Sequence, residues 1–389
     1  MIRQFRELYG AQAAPRLFRA PGRVNLIGEH TDYNLGYVLP IALDMACYMA
    51  AANSSDNRIH VYSLDRGHGF DFDVNVGGAT PRKDWTDYVI GVAQELAQRG
   101  VRIQPMNLML HSEVPEGSGL SSSAALEVSS ALAFLFGRSF DKVEIAKLAQ
   151  HAETDFVGMP CGIMDQYISV FGQEQRAVEI DCRSLEHRLV ELPKDVAIVA
   201  VNSMVKHELA SSAYRERTEE CAEAVTGIQR KHPDVQSLRD AKLEYLKDAG
   251  LPPTIEKRAR HVITEDQRVL DFTAAAKSGD LQAMGRLFVE SHRSMQNDYE
   301  ITCEEIDFLV DSALAIEGVY GARMTGGGFG GCTVNLVNPA AVSNFKAKIV
   351  EQYHARFGVQ APVFDCIPSK GATEVKDFES IPPAPSLHQ

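Results

Sequence analysis

Between residues 106 and 136 the chain passes from a short apolar stretch, through glycine and serine, into an apolar stretch with helical spacing. The connecting segment, PEGSGLSSSAALE at 115–127, limits the fold more than any other. A strand must end before it and a helix must begin inside it. Gly117 and Gly119 interrupt regular structure, whereas Ser121, Ser122 and Ser123 suit a helix N-cap. The first-turn N–H groups of such a helix lack internal partners and, with the helix dipole, favour an anion such as phosphate. The spacing is neither GxxxxGK[ST] nor GxGxxG, which excludes the two common phosphate loops. Read alone, the segment is equally an ordinary Gly/Ser cap.

The rest of the chain alternates around this unit. Strand-like runs at 16–20, 38–44, 47–52, 58–63, 70–74 and 106–112 are followed by helical spacing at 84–99, 122–136, 143–156 and 163–171. Strands first and helices after argue for an α+β domain rather than a doubly wound sheet. Strands are expected again at 177–182 and 196–202, then helices from 212 to about 317 with a proline break at 251–253. Strands at 319–323, 332–337 and 363–367 around a helix at 340–357 complete a second α+β domain. A length of 389 residues fits two domains, 1–185 and 186–389.

Composition narrows the function by exclusion. Lys and Arg number 39 against 52 Asp and Glu, a net charge of −13 that disfavours a nucleic-acid or anionic-membrane partner. No apolar run reaches the length of a membrane span, and the N-terminus reads as a short amphipathic helix, not a signal peptide. Seven scattered cysteines without a CxxC imply free thiols and a cytoplasmic location, and a monomer is compatible with this chemistry. No HExxH or GxSxG occurs. The proline-rich end, 381–389, reads as a frayed tail.

Three further segments carry chemistry. GRVNLIGEHTDYN at 22–34 concentrates Arg23, Glu29, His30, Asp32 and Asn34, a set suited to a hydroxyl-rich ligand, or to an exposed polar hairpin. In PCGIMDQ at 160–166, Pro160 and Gly162 end one helix and Asp165 falls in the first turn of the next, where a carboxylate also serves as a favourable helix charge. Glu153, at the edge of an apolar stripe, needs a partner, either a metal or a basic side chain. Five glycines in the six positions 326–331 form either an anion nest or a tight backbone crossing. Two glycine-rich loops in one acidic chain favour a nucleotide.

Together and in this order, the four segments resemble the GHMP kinase superfamily, and GRVNLIGEHTDY at 22–33 resembles the signature of its galactokinase family. The resemblance implies an N-terminal domain like ribosomal protein S5 domain 2 and a ferredoxin-like C-terminal domain, with the site in the cleft between them. It implies transfer of the ATP γ-phosphoryl group to the anomeric hydroxyl of α-D-galactose with Mg²⁺, the entry step of galactose metabolism. Glu29, His30, Thr31, Asp32, Gly162 and Tyr214 would then bind sugar. Gly117, Ser118, Gly119, Leu120, Ser121, Ser122 and Ser123 would cradle phosphates, with Ser63 contacting the nucleotide. Ser123 and Glu153 would hold Mg²⁺, Asp165 would act as base and Arg23 would stabilise the transition state. Two alternatives stay open: a kinase for N-acetylgalactosamine or another sugar, and a sugar sensor without catalysis. Sensors of this kind carry a damaged ATP loop, whereas 121–125 is intact here.

Overall fold

The computed structural model describes residues 1–10, 13–205 and 210–376. The expected tail at 381–389 lies outside the described residues.

After the helix α1 (Ile2–Tyr9) come the strands β1 (Arg16–Asn25), β2 (Tyr37–Val38), β3 (Pro40–Asn53), β4 (Arg58–Ser63) and β5 (His68–Asp73). Then follow α2 (Thr86–Gln98), β6 (Met106–Ser112), α3 (Ser122–Leu135), α4 (Lys142–His151) and α5 (Met164–Phe171). The strands β7 (Arg176–Asp181), β8 (His187–Glu191) and β9 (Ala197–Asn202) lead to α6 (Ala210–Gln229), α7 (Leu243–Ala249), α8 (Pro253–Ser278), α9 (Leu281–Ser294) and α10 (Glu304–Leu314). The chain closes with β10 (Val319–Thr325), β11 (Cys332–Val337), α11 (Val342–Phe357), β12 (Val363–Asp365) and β13 (Thr373–Val375).

The first sheet has the order β13-β1-β3-β6-β4-β5, antiparallel except where β4 runs parallel to β6. The apolar faces of α2 to α5 cover it, burying Met49, Leu108, Val128, Leu148 and Ile168 in one core. A second sheet, β10-β11-β9-β12, packs against α10 and α11, its run Val199 and Val201 buried as the sequence requires of a covered strand. A small sheet, β2-β7-β8, links the two. The architecture is α+β, as expected.

Local chemistry accounts for the boundaries. Asp141 caps α4 by accepting the Glu144 N–H at 3.0 Å. Pro253 opens α8, where its missing N–H costs nothing, and the left-handed Gly279 closes it. Three details differ from the sequence expectation. The runs at 38–44 and 47–52 form one long strand, because β3 pairs with β1 and β6 along its length. The helix expected at 143–156 ends at His151 and continues as a π-helical turn, Ala152–Val157. A short strand that the sequence did not announce, β13, pairs with β1.

Candidate active site

β1 carries a bulge at Gly22, where its register against β3 shifts. A Cβ there would stand 2.7 Å from the Leu120 carbonyl, so only glycine lets β1 approach the loop before α3 this closely. The bulge re-aims the next side chain. Arg23 donates from Nε to Asp165 Oδ1 and from Nη2 to Asp165 Oδ2, each at 2.8 Å, and from Nη1 to the Gly119 carbonyl at 2.5 Å. Asp165 sits in the first turn of α5.

The serines do not cap α3 as the sequence implied. Ser121 occupies the N-cap position with φ 60° and makes no capping bond; its hydroxyl donates to Asp165 Oδ2 at 2.5 Å. The start of α3 therefore has no side-chain cap, which leaves its first-turn N–H groups to an incoming anion. Gly117 and Gly119, at φ 69° and 76°, supply the turn, and Ser118 ties it by donating to the Pro115 carbonyl at 2.8 Å.

Of the two readings of the 326–331 glycines, a backbone crossing is what forms. A Cβ at Gly326 would lie 3.3 Å from the Gly119 carbonyl oxygen, and one at Gly331 would lie 3.1 Å from that of Ser118. Gly326 and Gly331 thus pack on the 117–123 loop, while Gly328 and Gly330 approach the carbonyls of Ile301 and Val205 more closely still, 2.7 and 2.5 Å from where a Cβ would stand.

Beside this junction lies a cavity of about 160 Å³ lined by Arg23, Glu29, His30, Asp32, Gly162, Asp165 and Tyr214, all singled out from the sequence. Cys161, Met164, Gly326 and Gly327 complete the lining. Thr31 is not brought to it: its hydroxyl donates to the carbonyls of Gly28 and Tyr37 and holds the 28–37 turn together. Gly162 is there for space, because a Cβ would fall 1.8 Å from Asp32 Oδ2. His30, Tyr33, Tyr214 and Tyr299 form a ring cluster on one side, with His30 centred 5.0 Å from Tyr214 and 4.9 Å from Tyr299. Tyr33 lies inside the 22–34 segment but is not among the residues singled out there, and Tyr299 is not singled out either.

Burial governs the charge states here. It pushes His30 down to about 3, so the ring is neutral and can donate and accept. It raises Asp32 to about 7, helped by the negative charge of Asp165. Glu29 is also pushed up by burial, against the pull of Arg323 and Arg23.

A second cavity, of about 200 Å³, opens on the other side of the start of α3 and includes Ser63, Ser122 and Ser123. Trp85 and Tyr88 add flat apolar surface to it. Glu153 is buried on the π-helical turn; it accepts from Gln166 Nε2 at 2.7 Å and faces Ser123 and Cys161. Burial and the Asp165 charge raise it to about 7. Glu127, fully buried on α3, shares the same Gln166 amide at 3.0 Å, and its Oε1 has no hydrogen-bond partner among the described residues. A hydroxyl and a poorly compensated carboxylate are hard oxygen donors, so Ser123 and Glu153 fit Mg²⁺, which keeps several waters and needs few protein ligands. No group of three or more His, Cys, Asp or Glu side chains converges on a metal position among the described residues.

Three family models match this arrangement: the galactokinase galactose-binding signature over 3–53, the GHMP kinase N-terminal domain over 87–173 and the GHMP kinase C-terminal domain over 272–355. A galactokinase of Roseiflexus sp. (strain RS-1) is 42% identical over 378 residues, 96% of each chain. The chain belongs to the galactokinase family. Another galactokinase, from Chloroflexus aggregans, is 43% identical over 371 residues, 94% of this chain and 95% of that one. The crystal structure of Lactococcus lactis galactokinase complexed with galactose matches with a TM-score of 0.91 at 35% identity, over 96% of this chain and 98% of that one. Beyond the galactokinase family, the mevalonate kinase of Methanococcus jannaschii shares the fold, with a TM-score of 0.66 at 18% identity.

Proposed function

We propose that the protein transfers the γ-phosphoryl group of ATP to the anomeric hydroxyl of α-D-galactose, giving α-D-galactose 1-phosphate and ADP. Galactose occupies the 160 Å³ cavity, with Glu29, His30, Asp32 and Tyr214 meeting its hydroxyls and Gly162 leaving room for Asp32. The nucleotide occupies the second cavity, with Ser63 beside it and its phosphates on the 117–123 loop and the start of α3. The observation that carries this reading is the position of Asp165. It lines the sugar cavity while bound through Arg23 and Ser121 to the loop that would hold phosphate.

Phosphoryl transfer asks little covalent chemistry of a protein and much positioning and charge stabilisation. Asp165 orients the anomeric O–H and takes its proton as the new O–P bond forms and the bond from γ-phosphorus to the bridging oxygen of ADP breaks. Arg23 holds Asp165 in place and puts a fixed positive charge beside the transferring oxygens. Ser123 and Glu153 would hold Mg²⁺, which supplies positive charge to the phosphate oxygens when bound.

Both cavities are assembled within one chain, so a monomer carries a complete site. The seven cysteines are free thiols, in keeping with a cytoplasmic setting. No helix among the described residues is long and apolar enough to cross a membrane.

The reading is tested by ADP release with Mg-ATP across galactose, glucose, N-acetylgalactosamine, arabinose and no sugar, with wild type beside Asp165→Ala. Galactose-dependent release that disappears in the variant is expected. Turnover of another sugar alone would move the specificity, and sugar and ATP binding without turnover would point to a sensor.

A further inference from the structure

The backbone under the sugar cavity is held by more than its own Thr31 and Asn34. Gly28 and His30 have φ of 100° and 62°, a region that L side chains adopt only under constraint. A second constraint comes from α8, more than 200 residues away. Glu265, fully buried in α8, accepts on Oε1 the N–H of Gly28 at 2.9 Å, the N–H of Glu29 at 3.2 Å and the Ser291 hydroxyl at 2.8 Å. His261, one turn earlier, faces the Glu29 carbonyl at 3.2 Å.

Arg323 of β10 completes the frame. It has no exposed surface, and its Nη1 donates to the Leu26 carbonyl at 2.6 Å. Its Nη2 stands 3.3 Å from Glu29 Oε1 and 3.8 Å from Glu265 Oε1, so two buried carboxylates share one guanidinium. Gly326 N–H donates to the same Glu29 oxygen at 3.1 Å. Burial pushes Glu265 up, but Arg268 and Arg323 together hold it well below the usual carboxylate range. Such a fully desolvated charge set persists only where each member is paired, and removing one member is costly to the others. Arg323 and Glu265 lie outside the lining of both cavities.

We propose that Arg323 and Glu265 are positioning residues for sugar capture, Arg323 fixing the Glu29 carboxylate and Glu265 fixing the backbone beneath it. The inference rests on the reading of the 160 Å³ cavity as the galactose site. Neither residue reaches the nucleotide cavity, so their loss falls on the sugar.

The test measures KM for galactose and for ATP separately in wild type, Arg323→Lys, Glu265→Gln and Glu29→Gln, with unfolding curves for each. Lysine keeps the charge of Arg323 but has no fork to join Glu29 and the Leu26 carbonyl. In Arg323→Lys, galactose KM should rise about tenfold or more, the size of one lost charge-assisted hydrogen bond, while ATP KM stays within about twofold. Glu265→Gln should show the same selective rise, and it carries the test if Arg323→Lys does not fold.

A panel of monodeoxygalactoses adds a readout that a general packing defect would not move. The sugar to which Glu29→Gln is least sensitive should also show the smallest penalty in Arg323→Lys. Equal rises in both KM values, a fall in kcat alone, or an unchanged galactose KM would overturn the proposal. Absence of galactose turnover in wild type would instead overturn the functional reading on which it rests.

Discussion

Arg23 and Asp165 meet edge to edge, Nε to Oδ1 and Nη2 to Oδ2, both at 2.8 Å. With Ser121 also donating to Oδ2, the carboxylate cannot rotate, so its orientation toward a bound hydroxyl is set before the sugar arrives. Asp165→Asn keeps the shape and removes the proton acceptor. Its kcat should fall about 100- to 10,000-fold, with galactose affinity by calorimetry changed little. Near-normal turnover in this variant would rule out a base.

Replacing Arg23 by lysine keeps the charge but cannot span Asp165 and the Gly119 carbonyl together. Both kcat and ATP affinity should drop, kcat by about tenfold or more, because one lost bidentate contact frees the base and the loop. Steady-state kinetics in both substrates checks this.

Gly162→Ala would thrust a methyl group onto Asp32 Oδ2. Asp32 must then move, and the galactose KM should rise while nucleotide binding is retained. A galactose KM equal to wild type would show that Asp32 contributes nothing to sugar affinity.

The raised carboxylates make an acid-side prediction about stability. Asp32 stands at about 7 in the fold against an ordinary 3.8, and Glu153 at about 7 against 4.5. Between those limits the folded protein keeps protons that the unfolded chain has lost, so the stability they contribute is lost as pH rises toward and through 7. In unliganded protein, Asp32→Asn should therefore raise Tm most at pH 8, by a smaller amount at pH 5, which lies between the two limits, and by almost nothing at pH 3. A benefit that does not grow between pH 3 and pH 8 would mean that the Asp32 carboxylate is ionised in the fold as readily as in the unfolded chain.

Trp85 is the chain's one tryptophan and lines the second cavity. ADP or ATP should change its fluorescence in a saturable way, whereas galactose alone should not. A response to galactose and none to nucleotide would reverse the assignment of the two cavities.

The parts of the site legible in the sequence are those whose residue types are unusual for their local structure. Asp165 falls off an apolar stripe, and Arg23, Glu29, His30 and Asp32 crowd one short segment. Arg323, Glu265 and Glu127 gave no such signal, because a charged residue within a strand or helix reads as solvent-facing until tertiary packing buries it. The glycines at 326–331 announced a close approach but not its partner, since a missing side chain does not say whose backbone fills the space. The π-helical turn under Glu153 was hidden too, because one extra residue per turn barely disturbs a 3.6-residue pattern. Strand β13, three residues long, was too short for alternation to show.

That last strand ties the order of synthesis to the order of folding. β13 pairs with Leu17, Phe18 and Arg19 of β1, and Glu374 closes on Arg16 through two hydrogen bonds. A ribosome makes Glu374, in β13, 358 residues after Arg16, in β1. The sheet that carries Arg23 thus keeps an open edge until β13 has been made, and it cannot reach its final form while the segment between is still being synthesised.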